Sequence, residues 1–294
     1  MENNKQDLMK SIQAKFLRLS KGQKLIAQYI LKHYDKAAFM TAAKLGIRVG
    51  VSEATVIRFA NEFGFNGYPK LQKSLQELIK NKLTTMQRFN LSYDSMTQEN
   101  VLDEVLKGDI ENIRVTLEKI NNQTFEDIVN SLFKARKVYI IGLRSSSALA
   151  GFLAFYLNLI LENVQVVAYG VSDIFEQMFN VDERDIIIGI GFARYATRTI
   201  EALEFVRSKH GIVVAITDSL SSPLASNANY TLIAQSNITS FVDSLVAPFS
   251  VINALIIAVE LRGKEKVAKT FSTLESIWEE YNVYSLKDKD NKYL

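Results

Sequence analysis

The stretch TAAKLGIRVGVSEATVIRFANEFGF, residues 41–65, decides how the first third of this chain folds. It reads as two short helices joined by a tight turn. The first covers 41–47, with Ala42 and Ala43 as the small residues where a second helix crosses it, and Gly46 and Gly50 lie near the turn. Ser52 suits the N-cap of the second helix, because a hydroxyl there accepts a bond from a free backbone N–H of the first turn. Val56, Phe59 and either Ala60 or Phe63 then share an inward face. Glu53, Ala54, Thr55 and Arg58 are left near the N-terminal end and on the outer face. Such positions reach base edges when a recognition helix enters the major groove. Arg58 has the shape for a bidentate contact to guanine or phosphate, and Thr55 for a base edge or phosphate. Lys44, Arg48, Lys70 and Lys73 flank this face and suit phosphates.

The surroundings are helical as well. Leu8, Ile12, Phe16 and Leu19 keep one face. Ser20 with Gln23 forms a capping-box pattern, so a helix starts there and turns Leu25, Ile26, Tyr29 and Ile30 inward. Gly64 and Gly67 punctuate the end of the recognition segment, and 68–83 is helical again. Residues 84–100, TTMQRFNLSYDSMTQEN, lose all periodicity and are read as a linker. Helices come next at 101–120 and 125–134.

From Lys137 the period changes. The apolar runs KVYIIG (137–142), VQVVAYG (164–170), DIIIGIG (185–191), GIVVAIT (211–217) and NYTLIA (229–234) alternate with helical stretches at 146–162, 172–179, 197–209 and 222–227. Continuous apolar strands separated by helices predict a parallel sheet covered on both faces. Two long helices, 246–262 and 264–281, close the chain before a polar tail. The predicted fold class is α/β: an N-terminal all-α helix-turn-helix domain over 1–83, a linker over 84–100, and a doubly wound parallel five-stranded domain over 101–285.

Two strand-to-helix loops of this second domain are candidates to hold an anion. In 140–150 Gly142 permits a tight turn, and Ser145, Ser146 and Ser147 stand where a helix begins, with Arg144 before them. In 188–199 the donors are Arg194 and Thr197. Helix N-termini offer free N–H groups to phosphates, and ligands of open parallel sheets sit outside the carboxyl ends of the strands. Two readings of the serines stand side by side, capping and phosphate binding, because both use the same geometry. Two also stand for the arginines: an anion clamp, or salt bridges to carboxylates such as Glu162, Asp173 or Asp218.

Residues 1 to about 80 resemble the N-terminal domain of the RpiR family of transcriptional regulators. Ser52, Ala54, Thr55, Val56, Arg58 and Phe59, followed by Gly67 and Tyr68, stand in the family's order. The resemblance implies a DNA-contacting set that includes Ser52, chiefly as the cap, and Tyr68. Residues 125–270 resemble the sugar isomerase (SIS) domain, and RpiR regulators carry one in this position. Thr217, Asp218 and Ser219 match its Thr-Asp-Ser turn, and the resemblance adds Thr217 to the effector set. Gly142 and Ser146 match its first loop, Gly-x-Gly-x-Ser, with Arg144 at the second glycine. The second loop, Ser-x-Ser-Gly-x-Thr, has become Gly191, Ala193, Arg194 and Ala196, with Thr197 one position beyond. Hydroxyls leave these loops as arginines enter.

Composition narrows the function further. Residues 1–90 hold 16 Lys and Arg against 6 Asp and Glu, and the remainder 19 against 26, which fits a basic nucleic-acid-binding head on an acidic body or a Lys-rich solvated surface. There is no cysteine, so thiol chemistry and disulfides are excluded and a reducing cytoplasm is expected. The two histidines fall in no metal-ligand spacing, and no cofactor is expected. The start of the chain lacks a signal-peptide core and no apolar run is long enough for a membrane. The expected function is a transcriptional regulator that binds double-stranded DNA at a palindromic operator and senses a small anionic metabolite, a sugar phosphate. The alternatives are a phosphosugar isomerase or etherase-type enzyme, for which Glu201 and Glu204 are the nearest candidate bases, and a scaffold whose SIS domain only dimerises. The helix at 247–261 is apolar on several faces, which fits either burial within its own domain or a homo-oligomer interface.

Overall fold

The structure is a computed structural model that describes residues 4–79, 84–86, 88, 98–237 and 242–284. Most of the expected linker, and the tail from 285, lie outside the described residues. The chain divides into two compact units, Met1–Ile110 with Asn237–Ser244, and Glu111–Ser236 with Leu245–Leu294.

The first unit is all-helical: α1 (Asn4–Lys15), a 3-10 turn (Phe16–Arg18), α2 (Lys21–Ala37), α3 (Ala42–Val49), α4 (Glu53–Glu62) and α5 (Tyr68–Ile79). The capping box at the start of α2 is formed in both directions. The Gln23 amide donates to Ser20 Oγ (3.4 Å) and the Ser20 amide to Gln23 Oε1 (3.1 Å). Ile12, Ile26, Ile30, Leu45, Phe59 and Leu71 make a dry core. α5 also satisfies the carbonyls left open where α2 ends. Tyr68 Oη donates to the Ala37 carbonyl (3.1 Å), Gln76 Nε2 to Ala38 (3.0 Å) and Gln72 Nε2 to Met40 (3.1 Å).

Two helices, α6 (Val101–Lys119) and α7 (Asn122–Lys134), precede the sheet. The strands are β1 (Val138–Gly142), β2 (Val164–Val167), β3 (Ile186–Ile190), β4 (Ile212–Thr217) and β5 (Tyr230–Ile233). They pair in parallel in the order β2-β1-β3-β4-β5, with Gly142 beside Ile190. β1 and β3 are buried at every residue, as central strands of a two-sided sheet are. The remaining helices are α8 (Ser146–Leu161), α9 (Thr197–Ser208), α10 (Val246–Arg262) and α11 (Lys264–Glu280). Residues of α7, α8 and α10 share one core layer with Ile140 and Ile188. Residues of α9 share the other with Tyr139, Ile141 and Ile187. Among the described residues no single helix is long and apolar enough to cross a membrane.

The stretches expected to be helical at 172–179 and 222–227 hold only 3-10 turns, Glu176–Met178 and Ala225–Asn227. Side chains bonding to local backbone explain this, since they compete with the helical ladder. Asp173 Oδ1 accepts from the Phe175 amide (3.0 Å), and Gln177 Nε2 donates to the Ala168 (2.6 Å) and Ser172 (3.2 Å) carbonyls. At the other site Ser222 Oγ accepts from the Ala225 amide (3.0 Å), and Pro223 has no amide to give.

One ion pair holds the approaches to β1 and β3 together. Asp185 is fully buried and accepts from Arg136 Nε (2.9 Å), Arg136 Nη2 (2.5 Å) and the Asp182 amide (2.9 Å). Asp185→Ala removes these charge-assisted bonds and should lower unfolding stability by about 2–3 kcal/mol. A denaturant melt within about 0.5 kcal/mol of wild type, the usual spread for neutral surface changes, would show that the pair is dispensable.

Candidate DNA interface and ligand site

The helix-turn-helix is made by α3 and α4. The crossing point is Gly46 rather than Ala42 or Ala43: a Cβ on Gly46 would lie 2.7 Å from the Val51 carbonyl oxygen, whereas Ala43 is exposed and Ala42 half-buried. Gly50 ends α3 in the left-handed region at φ 74°, the usual conformation of a helix-ending glycine. Ser52 is the N-cap of α4, with the Thr55 amide donating to its Oγ (3.3 Å). The two hydroxyls of Ser52 and Thr55 lie 2.9 Å apart, and Arg58 Nη2 donates to Thr55 Oγ1 (3.4 Å). Ser52, Glu53, Ala54 and Arg58 are exposed and Thr55 is half-exposed. Lys44, Arg48 and Lys70 are exposed too. Val56, Phe59 and Ala60 are fully buried, so the inward face is as expected, with Phe63 only half-buried behind it.

Tyr68 does not belong to the DNA-facing set. It is 2% exposed, its hydroxyl holds the Ala37 carbonyl, and burial pushes its pKa well above the ordinary tyrosine value. Gly22, by contrast, matters here although no motif marks it. A Cβ there would lie 3.3 Å from Thr55 Cγ2 and 3.4 Å from Val51 Cγ1. The first turn of α2 therefore abuts the first turn of α4, which brings the exposed Lys21 near the N-terminal end of the recognition helix. A glycine in a first helical turn costs helix propensity, and that is its one signal in the sequence.

In the second unit, the loops after β1 and β3 stand side by side, because those strands are neighbours about 5 Å apart. The helices that come after them pack on opposite faces, so the carboxyl ends of these strands form the switch point where open parallel sheets place their ligands. Gly142 is required where α8 folds back on β1: a Cβ there would lie 2.5 Å from the Ser146 carbonyl oxygen. Ser145 stands at the N-cap of α8 but makes no side-chain cap bond, and Ser147 Oγ donates to the Arg144 carbonyl (2.7 Å). Ser146 is 5% exposed. Ala196 precedes α9 and cannot cap it, Thr197 is exposed, and Thr199 Oγ1 in the first turn is buried with no partner among the described residues.

Five non-glycine residues among those described have left-handed backbone: Arg144, Glu162, Arg194, His210 and Asn282. Glu162, His210 and Asn282 lie just past the ends of α8, α9 and α11, where that conformation is ordinary. Arg144 and Arg194, each at φ 58°, instead precede helices, one in each of the two loops. Nearby, Asp218 accepts from Tyr195 Oη (2.8 Å) and Thr217 Oγ1 (3.3 Å). Elsewhere Glu162 faces Lys266 (3.6 Å), and Asp173 accepts from the Phe175 amide (3.0 Å). Thr217 is fully buried with its hydroxyl held on Asp218, so it positions that carboxylate and has no surface to offer a ligand. Glu201 bonds Arg198 (3.0 Å) and Glu204 bonds Asn227 (3.3 Å), further along α9 than the loops.

A helix-turn-helix unit followed by a doubly wound, parallel five-stranded unit sets the class of this chain. Known proteins share both parts. Residues 6–82 match the helix-turn-helix domain of the rpiR family, and residues 131–258 match the SIS domain. An HTH-type transcriptional regulator of Haemophilus influenzae is 26% identical over 272 residues, 89% of this chain and 92% of that one. HexR of Escherichia coli, also an HTH-type transcriptional regulator, is 26% identical over 231 residues, 76% of this chain and 75% of its own length. The sugar isomerase domain of an RpiR transcription factor from Sphaerobacter thermophilus superposes with TM-score 0.58 at 27% identity, covering 60% of this chain and 99% of that one. The Vibrio vulnificus NanR protein, complexed with ManNAc-6P, shares the fold at TM-score 0.55 and 18% identity, covering 92% and 97%. The chain belongs to the RpiR family of transcriptional regulators.

Tyr68→Phe removes a buried hydrogen bond and nothing on the DNA face. It should destabilise the first unit by about 1 kcal/mol and leave operator affinity of the folded protein at the wild-type value. A specific loss of operator binding at unchanged stability would return Tyr68 to the interface.

Proposed function

We propose that this regulator senses a phosphorylated sugar or a related anionic metabolite in its second unit, and transmits binding to the DNA head. The head comprises 1–83, the linker 84–100 and the sensor 101–285. Bases are read by Glu53, Ala54, Thr55 and Arg58, with Ser52 as cap and secondary phosphate donor. Lys44, Arg48 and Lys70 hold the phosphates. The protein acts in the cytoplasm as a homo-oligomer on a palindromic operator, two-fold symmetry in the protein matching that of the site.

The effector is held by Gly142, Arg144, Ser145, Ser146 and Ser147 from one loop and by Arg194 and Thr197 from the other. The observation that carries this reading is the pair of left-handed arginines. Outside helix ends such backbone costs a non-glycine residue about 1–2 kcal/mol, so it persists where the surroundings or a function demand it. Here it occurs twice, at neighbouring strand ends, just before two helices whose N-cap residues, Ser145 and Ala196, make no side-chain cap bond. Guanidinium groups supply in fork geometry the donors that the family's hydroxyls supply elsewhere. NanR, which shares the fold, was solved with ManNAc-6P, an instance of this ligand class.

Two measurements check the two halves of the proposal. Arg58→Ala should weaken specific operator binding by about 1–3 kcal/mol with the melting curve unchanged, and wild-type retardation in moderate salt would refute its role. Calorimetric titration with a panel of sugar phosphates should give a member that binds wild type and fails with the Arg144→Ala/Arg194→Ala double variant. Identical responses of both proteins, or no binding by any member, would remove the clamp.

A further inference from the structure

α6 is inside out. Its apolar residues Leu102, Leu106, Ile110, Ile113 and Leu117 recur at spacings of four, four, three and four, close to the 3.5-residue repeat of a helix-pairing seam. A helix with such a stripe ordinarily turns it toward its own core. Here the five side chains are 69%, 52%, 66%, 39% and 75% exposed, while Asn112 and Thr116 on the other side are 1% and 5% exposed. The polar side is fastened in place. Thr116 Oγ1 donates to the Asn112 carbonyl (2.7 Å) and accepts from the Gln235 amide (2.8 Å), and Asp109 Oδ1 accepts from Ser244 Oγ (2.5 Å). Rolling the helix to hide its stripe would break the bonds to Gln235 and Ser244.

We infer that the exposed stripe of α6 is an interface with α6 of a second copy of this chain. This rests on the homo-oligomer reading above and names the surface. Three features choose a second copy as the occupant. The stripe runs about 22 Å along the helix axis, and a second α6 has the same length and the same repeat, which a two-fold, self-complementary contact requires. The five side chains expose roughly 500 Å² between them, most of the approximately 800 Å² per partner of a standard stable interface. The flanks carry both signs, with Lys107 beside Asp103 and Glu104, and Arg114 between Glu111 and Glu118, so a second α6 meets opposite as well as like charge.

The chain has no cysteine, so one introduced thiol reports one place. Ile110→Cys in the full-length protein should give a disulfide-linked dimer under mild oxidation, because only a second copy can bring another thiol within the roughly 7 Å Cα separation that a disulfide tolerates. Ile257→Cys on α10, 52% exposed, should stay monomeric on the same gel. Leu106→Glu with Ile110→Glu, both on the exposed face, should raise the dimer dissociation constant at least tenfold with circular dichroism unchanged. A dimer that crosslinks through Ile257→Cys and not Ile110→Cys would overturn the inference and leave the homo-oligomer reading intact. A wild-type monomer by light scattering, with α6 covered by the chain's own linker or head, would overturn both.

Discussion

The adjacency of β1 and β3 governs the second unit. These strands pair in parallel, yet the helices that leave them go to opposite faces of the sheet, α8 with α7 and α10 on one side and α9 on the other. Adjacent right-handed crossovers in opposite directions leave a gap at the carboxyl edge that neither helix fills. The loops at that edge carry Arg144 and Arg194, both with left-handed backbone, and lead into α8 and α9. The rest of the unit keeps the gap in register. Arg136 and Asp185 clamp the entries to the same two strands, and Tyr195, Thr217 and Gln235 converge on Asp218 beside its exit.

The DNA head depends on a smaller constraint of the same kind, the close approach of α3 and α4 at Gly46. That contact fixes the turn, Ser52 caps α4, and the cap's hydroxyl orders Thr55, which in turn holds Arg58. The exposed N-terminal face of α4 is therefore ordered by a chain of local hydrogen bonds built on a buried helical crossing. A metabolite bound in the crevice alters DNA affinity only through a preference for one arrangement of the protein over another.

The periodic features are legible in the sequence. All five strands fall inside the expected runs, and the capping box, the Ser52 cap and the inward face of α4 come from spacing alone. Readings that depend on a residue's company fare less well. Tyr68 has the sequence character of a polar aromatic at a loop end, and only the open carboxyl end of α2 explains its burial. Thr217 sits in a family turn whose hydroxyl serves Asp218. Gly22 is ordinary in sequence and matters because Thr55 lies against it. The left-handed backbone of Arg144 and Arg194 has no sequence signature, since arginine is not a residue that favours it. The stripe on α6 is visible as periodicity. Which way it faces is set by the bonds of Thr116 to Gln235 and of Asp109 to Ser244, partners more than a hundred positions away.

Coupling between a ligand site and a DNA site, where it exists, is reciprocal. The most direct measurement is operator affinity by fluorescence anisotropy, with and without a saturating sugar phosphate that binds the protein, together with the affinity for that sugar phosphate with and without operator. Both affinities should change, in the same direction and by the same factor. A sugar phosphate that binds in the crevice and leaves operator affinity unchanged would contradict the proposed coupling.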